Sequence, residues 1–278
     1  VTKPLTESSS PTTSRQVISG IMTDGYDRRL VLTGSGEAIV LVPGMGGSDR
    51  LFYRQAPLLA ERYCVATYAL RDAAASMDEL VQDLSAVIDA AAPQGRALII
   101  GESFGGALAL SFALRHPEKV SALVTLNSFP CFLPQGRLRL AIAGLHLMPW
   151  GAMRLVRRLT ASRLHSRHTH QADIRKFFEL TRDLSKEGYI GRLRMLQQYD
   201  VRSRLSEIRV PALFLAAEQD HLVPSVAQAR FMAERVPNAS MRVLDGHGHI
   251  CLIAPDLDLA EMLDSWRRTH VTESLGQP

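Results

Sequence analysis

The sequence predicts an α/β fold in which a mostly parallel central sheet is flanked by helices. Two observations predict it. Short β-type segments alternate with helical segments of about 10 to 15 residues, which is the pattern of crossover connections between parallel strands. The 278 residues are 46% hydrophobic and 22% charged, which is enough apolar material for a sizeable core. A chain of this length is commonly one α/β domain, so we expect a single fold with an insertion.

The first half of the chain supplies five predicted strands and three predicted helices. Each strand is a short apolar or β-branched run, and the five cover residues 28–33, 38–42, 63–70, 97–101 and 120–126. Apolar residues at helical spacing predict helices over 48–62, 76–92 and 103–116. In the second helix, Ser76 and Glu79 have the capping-box spacing. The third helix stops before Pro117, which cannot continue it.

The same alternation returns in the last third of the chain. Strands are predicted at 212–217 and 239–244, and helices at 226–236 and 257–266. The segment between the two halves has no convincing strand and is helical by composition, with interruptions by proline and glycine. A stretch rich in Ser, Thr and Pro begins the chain. We therefore predict a flexible N-terminal arm at 1–16, a core formed by 17–129 and 205–278, and a helical lid insertion at 130–204.

The predicted insertion is strongly basic. Residues 134–204 contain 15 Lys+Arg and five Asp+Glu, a net charge of +10, whereas the whole chain has a net charge of +4. The rest of the chain is therefore net negative. We expect no nucleic-acid partner, because the basic segment has no interleaved aromatic platform and no recognisable binding motif.

The most specific local pattern is Gly101-Glu102-Ser103-Phe104-Gly105, which has the form G-x-S-x-G. It stands between a predicted buried strand and a predicted helix. A sharp turn there would expose the serine hydroxyl, and only small residues would fit around it. The amide of Phe104 would point at a developing oxyanion, near the positive end of the helix. The pattern indicates a nucleophile, and the alternative is a glycine-rich turn without chemistry.

A nucleophilic serine needs a base and an acid that orients the base. Asp220 and His249 each follow a predicted strand, so they can meet Ser103 at one edge of the sheet. The chain order Ser–Asp–His differs from the orders of the chymotrypsin and subtilisin types. His247 is the nearest rival for the base, and Glu218 and Asp245 are weaker rivals for the acid.

The loop Pro43-Gly44-Met45-Gly46-Gly47 is the candidate for a second oxyanion donor. Its glycines would let the backbone approach a substrate closely, which makes Gly44 a candidate substrate-binding residue. The backbone amide of Met45 is the candidate donor. A glycine-rich turn before a helix is an equally valid interpretation of the loop when it is taken alone.

Taken together, these motifs resemble the α/β-hydrolase-fold serine hydrolases over roughly residues 28–270. VLVPGMGGS is similar to the oxyanion loop of that family, IIGESFGGALAL to its nucleophile elbow, LAAEQDHLVP to its acid loop and LDGHGHICLIAP to its histidine loop. The resemblance implies that Ser103 is the nucleophile, Asp220 the acid and His249 the base, with the amides of Met45 and Phe104 as the oxyanion hole. One departure is Pro43-Gly44, which stands where the family often has His-Gly. The motifs look most like an esterase, lipase and acyltransferase branch.

The resemblance also implies that the insertion is a lid that shapes an acyl pocket. Met148 and Trp150 are candidate substrate-binding residues there, and the alternative is that they pack the lid onto the body.

The arginines of the insertion form either a solvated face or a docking site for an acidic acyl carrier, coenzyme A or an anionic surface. They include Arg137, Arg139, Arg154, Arg157, Arg158, Arg163, Arg167, Arg175, Arg192 and Arg194. His165, His168 and His170 lack metal-binding spacing and are predicted surface residues.

No motif predicts a metal or nucleotide cofactor, so we expect none. The longest mostly apolar stretch, 140–153, falls short of the ~18 residues that a membrane-spanning helix needs. Three widely spaced cysteines are typical of inert thiols in a reducing compartment, so we expect a cytoplasmic protein.

The expected activity is that of a carboxylic ester hydrolase that cleaves small-molecule acyl esters or thioesters through an acyl-enzyme intermediate. Two alternatives remain open. The same residues could pass the acyl group to an alcohol, or to peroxide as in cofactor-free perhydrolases. The scaffold could also be a non-catalytic binding protein.

Overall fold

The computed structural model describes residues 15–18, 29–152, 155–156 and 164–275. This part of the chain forms an eight-stranded sheet with the order β1-β2-β4-β3-β5-β6-β7-β8. The strands are β1 (Arg15–Ile18), β2 (Leu30–Thr33), β3 (Ala38–Val42), β4 (Cys64–Thr67), β5 (Ala97–Glu102), β6 (Val120–Leu126), β7 (Ala212–Ala217) and β8 (Ala239–Leu244). Strand β2 pairs antiparallel with both β1 and β4, and the other neighbours are parallel. The predicted mostly parallel sheet is confirmed.

Helices lie on both faces of this sheet. They are α1 (Gln55–Ala60), α2 (Met77–Ala91), α3 (Phe104–Arg115), α4 (Gln135–Leu147), α5 (Gln171–Leu180), α6 (Lys186–Gln198), α7 (Ser225–Ala233) and α8 (Leu259–Leu275). Short 3-10 helices occupy Asp49–Phe52, Pro117–Lys119 and Arg202–Glu207. None of the described helices combines the length and the apolar composition needed to cross a bilayer.

The core consists of two apolar layers, because successive side chains of a strand point to opposite faces of the sheet. In β3, Val40 and Val42 pack in the layer that contains α2, α3 and α7, whereas Ile39 and Leu41 pack in the layer that contains α1 and α8. All four side chains are fully buried. A strand covered on both faces is therefore apolar at every position, which explains the continuous apolar runs in the sequence.

The N-cap predicted for α2 is present, whereas the return bond from Glu79 goes to Ala75 rather than to Ser76. The Ser76 hydroxyl accepts a hydrogen bond from the Glu79 N–H at 3.3 Å. The Glu79 carboxylate in turn accepts one from the N–H of Ala75, also at 3.3 Å. The bond from Glu79 to Ser76 satisfies a backbone donor that a helix start otherwise leaves without a partner, and it explains why α2 begins where the sequence predicts.

The first predicted helix and the predicted N-terminal arm both differ from the observed structure. The helix predicted at 48–62 is a 3-10 turn followed by the short α1, which begins at Gln55. The Gln55 side chain turns inward, donates to the carbonyls of Leu252 and Leu257, and accepts from the N–H of Leu259. The flexible arm predicted at 1–16 also ends too late, because Arg15 and Gln16 pair with β2 in β1. Residues 1–14 lie outside the described part.

Helices α4, α5 and α6 fill the described part of the segment between β6 and β7. The two ends of this segment meet, because the N–H of Val201 donates to the Pro130 carbonyl at 2.9 Å and Cys131 bridges Asp200. Apolar side chains join α4 and α6 to the layer of α2, α3 and α7; they are Leu138, Ile142, Leu145, Ile190, Leu193 and Leu196. The lid insertion at 130–204, both its bounds and its role, stays a prediction.

Candidate active site

Ser103 lies in the turn between β5 and α3, with backbone angles of φ 53° and ψ −115°. Residues that carry a side chain rarely adopt such a conformation. The neighbouring glycines make the turn possible. A Cβ on Gly101 would overlap the Gly105 carbonyl, and one on Gly105 would overlap the Val42 carbonyl. The Ser103 N–H donates to the carbonyl of Leu126 in β6 at 2.8 Å, which anchors the turn to the sheet.

The fold brings Ser103, His249 and Asp220 together. His249 Nε2 lies 3.0 Å from Ser103 Oγ, and His249 Nδ1 lies 2.7 Å from Asp220 Oδ2. The three residues follow β5, β8 and β7, which run in the same direction, so all of them lie at one edge of the sheet. With its proton on Nδ1, His249 donates to Asp220 and accepts from the serine hydroxyl. We refer to this arrangement as the Ser103–His249–Asp220 array.

The Asp220 carboxylate is fixed by several donors besides His249. Its Oδ1 accepts from the N–H groups of Leu222 and Val223, both at 2.9 Å. Its Oδ2 also accepts from the Ser225 hydroxyl. Burial alone would raise the pKa of Asp220, but the hydrogen bond and charge of His249, together with these other donors, hold that pKa below its usual value. Asp220 therefore stays ionised near neutral pH.

His249 is a stronger base than an ordinary histidine. Burial alone would lower the pKa of His249, but the hydrogen bond and the charge of Asp220, with a contribution from the charge of Glu102, raise it above the usual 6.5. The array can therefore move a proton from Ser103 Oγ to His249 Nε2 while Asp220 stabilises the resulting imidazolium.

The loop 43–47 lies beside the elbow, because β3 and β5 are neighbours and Val42 pairs with Gly101. The Gly47 N–H donates to the Gly44 carbonyl at 2.9 Å, which closes a tight turn around Met45. Phe104 is the first residue of α3, so its N–H has no acceptor within the helix. The two candidate oxyanion donors thus stand on adjacent segments, and their role toward a substrate stays a prediction.

Residues 37–254 match the model of the family described as alpha/beta hydrolase fold. This range contains every strand from β3 to β8 and all three residues of the array. The chain belongs to the alpha/beta hydrolase fold family.

Individual relatives in the family cover most of this chain. A protein of Azorhizobium caulinodans provisionally named carbamate hydrolase RutD is 28% identical over 242 residues, which span 81% of this chain and 89% of the relative. The pimeloyl-[acyl-carrier protein] methyl ester esterase of Aeromonas hydrophila is 27% identical over 252 residues, or 83% and 95% of the two chains. The structure of a thermophilic esterase from Thermogutta terrifontis has a TM-score of 0.77 at 20% identity, covering 92% of this chain and 99% of the esterase, and shows the same fold.

The rival residues have other partners in this alpha/beta hydrolase fold. His247 Nδ1 lies 2.9 Å from the Ser166 hydroxyl rather than near Ser103. The Glu218 carboxylate accepts from the Gly246 N–H at 2.9 Å and so stabilises the turn after β8. Asp245 is exposed to solvent. Their placement leaves Asp220 and His249 as the residues that join Ser103.

The three candidate substrate-binding residues all have structural contacts. Gly44 packs against the Glu102 carboxylate, which a Cβ at this position would overlap. Trp150 donates from its indole N–H to the Leu184 carbonyl at 2.8 Å, and the Met148 carbonyl accepts from Lys186 at 3.0 Å. These contacts explain the residues as packing, and their role in substrate binding stays a prediction.

Asn127 is a residue that the sequence interpretation missed. It follows β6, is fully buried, and adopts a positive φ of 52°. Its Nδ2 donates to the His249 carbonyl at 2.8 Å, and its Oδ1 accepts from the N–H of Ala217, the last residue of β7, at 2.7 Å. One amide side chain thus ties the histidine loop to the strand that precedes Asp220. Its place directly after a predicted strand was the one available signal.

Glu102 is a second supporting residue that the sequence motifs do not single out. It occupies the variable position before the serine, and its carboxylate lies against Gly44, so it brings the elbow into contact with the loop 43–47. Burial raises the pKa of Glu102. Nothing in the sequence distinguishes a buried carboxylate at this position from an exposed one.

One of the predicted surface histidines is buried. His165 packs edge-on against Phe177 with ring centroids 4.9 Å apart, and burial lowers its pKa to about 4. The prediction for His165 was therefore wrong, because the sequence could not show that its segment packs beneath the histidine loop: the Leu164 carbonyl accepts from the Ile250 N–H at 2.7 Å. His168 and His170 are exposed, as predicted. Within the described residues, no group of three or more His, Cys, Asp or Glu could hold a metal ion.

The basic residues of the insertion differ in their surroundings, and some of the exposed ones have partners, such as Arg202 with Asp200 and Arg204 with Glu207. Arg139, Arg167, Arg175 and Arg182 are exposed and form no ion pair with another described residue. Arg192 is 1% exposed and turns inward, so it cannot belong to a solvated face. Residues 154, 157, 158 and 163, also arginines, lie outside the described residues.

Proposed function

We propose that this protein is a serine hydrolase that cleaves carboxylic esters or thioesters of acyl substrates through an acyl-enzyme intermediate. The observation that carries this proposal is the Ser103–His249–Asp220 array, with its consecutive distances of 3.0 and 2.7 Å. The similarity to a methyl ester esterase supports the choice of a carbonyl substrate.

In the first half of the reaction, Ser103 Oγ attacks the carbonyl carbon while its proton passes to His249 Nε2. Asp220 holds the other side of the imidazole and stabilises its charge. The carbonyl oxygen becomes an oxyanion, which the N–H groups of Met45 and Phe104 would stabilise together with the positive end of α3. His249 then gives its proton to the leaving alcohol or thiol as the bond to the acyl carbon breaks.

In the second half, water takes the place of the leaving group. His249 accepts a proton from the water, whose oxygen attacks the acyl carbon of the Ser103 ester. Collapse of the oxyanion releases the carboxylic acid and returns the proton to Ser103 Oγ. On this scheme Gly44, Met148 and Trp150 would contact the acyl group, with Gly44 close to the oxyanion loop and the other two on the insertion.

The test is hydrolysis of p-nitrophenyl esters from acetate to palmitate, with Ser103→Ala as the matched variant. We expect the substitution to lower kcat by about 10⁶-fold, as loss of a triad nucleophile does. A fluorophosphonate should label the wild-type protein and not the variant. A folded wild-type protein that neither turns over an ester nor reacts with the fluorophosphonate would show that the scaffold is a binding protein instead.

Carbamate hydrolysis is a second candidate, favoured by the similarity to the relative named RutD. The same array can attack a carbamate carbonyl, so the substrate panel should include a p-nitrophenyl carbamate of matched size. A higher kcat/KM for the carbamate than for the ester would reassign the substrate class.

Added alcohol or peroxide in the same assay measures acyl transfer, which differs from hydrolysis only in the molecule that reaches the acyl-enzyme.

We further propose that an acidic acyl carrier delivers the substrate to the insertion. Residues 134–172 contain seven arginines and no Asp or Glu. Arg139 and Arg167, which the structure describes, are exposed and present forked donors that suit phosphate and carboxylate groups. The likeness to an esterase named for an acyl-carrier-protein ester supports a carrier over other anions.

A further inference from the structure

We propose that Arg192 is a positioning residue that fixes the candidate oxyanion loop, residues 43–47, from the inserted segment. The insertion would then contribute to the chemical step and would not only cover the site. This inference rests on the proposed function, because the loop carries Met45, the candidate oxyanion donor.

The contacts of Arg192 join α6 to two parts of the core. Its Nε donates to the Met45 carbonyl at 2.8 Å, and its Nη2 lies 3.3 Å from the Gly46 carbonyl. Both terminal nitrogens also lie 3.2 Å from Asp72 Oδ1. A single guanidinium thus binds two consecutive carbonyls of the loop and a carboxylate that follows β4.

The burial of Arg192 makes these contacts strong. Its side chain is 1% exposed, so its charge depends on protein partners rather than on water. Hydrogen bonds to a charged donor are roughly twice as strong as neutral ones. The planar fork also fixes the direction of each bond, which a lysine cannot do.

Two glycines leave room for this arrangement, one on each side. A Cβ on Gly47, in the loop, would overlap the Arg192 guanidinium, and Gly47 has a positive φ of 70°. A Cβ on Gly188, in α6, would overlap the Asp72 carboxylate. The loop and α6 therefore both leave space for the same ion pair, which indicates a specific contact between them rather than an incidental one.

The contact between Arg192 and the loop acts on the Met45 amide through the backbone. The Met45 carbonyl is bound by Arg192, and the Gly44 carbonyl is bound by the Gly47 N–H at 2.9 Å. The Met45 N–H lies between these two carbonyls in the chain. Holding the peptide groups on both sides of Met45 limits its φ and ψ, so the direction of its N–H is set before a substrate arrives.

The expected signature is a loss in kcat without a matching change in KM, because a preorganised oxyanion donor acts on charge that develops in the transition state. We expect Arg192→Met to lower kcat by up to about 10²-fold, the lower range for loss of one donor. Affinity for a boronic acid, which mimics the tetrahedral oxyanion, should fall by a similar factor. Arg192→Lys should restore part of the loss.

The matched control is Arg54→Met, which removes another ion pair between the core and the insertion. Arg54 binds Asp173 of α5 at 2.6 Å and does not touch the oxyanion loop. We expect this variant to lose stability and keep kcat. Asp72→Asn serves as a second test if Arg192→Met fails to fold, since it leaves Arg192 in place without its counter-charge, and it should lower kcat less.

The outcomes separate cleanly. A folded Arg192→Met with unchanged kcat would overturn the inference, as would a raised KM at unchanged kcat, which would make Arg192 a substrate-binding residue. A kcat loss without weaker boronic acid binding would also overturn it, because the loss would then be purely structural. Failure of the proposed function looks different, since the wild-type protein itself would be inactive and Ser103 would not react with a fluorophosphonate.

Discussion

Asp220 has two tasks at the level of a single side chain. One oxygen pairs with His249 and the Ser225 hydroxyl, and the other accepts the two backbone N–H groups that hold the carboxylate in its loop. The carboxylate is therefore both fixed in position and kept ionised. Its hydrogen bond to His249, together with its negative charge, is the main reason that the pKa of His249 lies above the usual value despite burial.

Asp220→Asn should lower the maximal kcat/KM by about 10³- to 10⁴-fold, because an amide neither stabilises the imidazolium nor fixes the tautomer. His249 must be neutral to act as a base, so the rate falls as pH drops through its pKa. In the wild-type protein that midpoint should lie above pH 6.5, and in the variant it should move to lower pH.

The measurement is the pH dependence of kcat/KM for a p-nitrophenyl ester from about pH 5 to 9, with the variant compared with the wild-type protein. Asp245→Asn is the control, since Asp245 is exposed outside the array. An acid midpoint that does not move in Asp220→Asn would show that Asp220 does not set the basicity of His249.

At the scale of elements, the unit formed by β5, the elbow and α3 tolerates no side chain at its glycines. Gly105→Ala should destabilise the protein by about 3 kcal/mol, because its Cβ would overlap the Val42 carbonyl and would force β3 and α3 apart. Thermal or denaturant unfolding measures this change. The same substitution should also abolish activity, since the turn that carries Ser103 must shift.

Gly144→Ala is the matched control for that prediction. Gly144 lies in α4, where a Cβ meets no atom within 4 Å. Alanine there should stabilise the protein by about 0.5 to 1 kcal/mol through helix propensity. Equal effects of the two alanines would mean that the elbow is not the tight turn described above.

Elements with a strong local signal were predicted to within a residue or two. The strands Val120–Leu126, Ala212–Ala217 and Ala239–Leu244 agree with their predicted bounds, because strands covered on both faces are apolar throughout. Elements whose bounds depend on contacts that are distant in sequence were not predicted as accurately. The break before α1 coincides with hydrogen bonds from Gln55 to residues almost 200 positions away, and β1 needs β2 as its partner.

The site shows the same division. That Ser103, Asp220 and His249 lie close together could be predicted, because each follows a strand and carries a reactive group. Their supporting residues, Asn127 and Glu102, could not, because their importance comes from burial and from partners that are remote in sequence. Local sequence patterns thus predict the candidate reactive side chains. The residues that hold those side chains in place can be recognised only in the three-dimensional structure.

At the scale of the whole molecule, charge is distributed unevenly. The segment 134–204 has a net charge of +10 and the remainder is negative. If an acidic acyl carrier docks on the insertion, its apparent KM should rise several-fold between about 0.1 and 1 M salt, as the Debye length shrinks from about 10 to 3 Å. A small neutral ester should show no such dependence.

A charge-reversal pair tests the location of this docking. Arg139→Glu with Arg167→Glu should raise KM for the carrier-bound ester and leave p-nitrophenyl acetate unaffected, whereas Arg230→Glu in α7 should change neither. A salt-independent KM for the carrier-bound ester would contradict the docking. Competition by anionic vesicles but not by free carrier would assign the basic surface to a lipid partner instead.

Asn127 has a consequence for how such a protein can change over generations. It links the end of β7 to the histidine loop, and it precedes Pro130, which meets Val201 where the two ends of the insertion come together. The link between the strand before Asp220 and the loop of His249 therefore lies outside the insertion. Over generations, changes to the outer helices that spare Arg192 can therefore leave the geometry of Ser103, His249 and Asp220 unchanged.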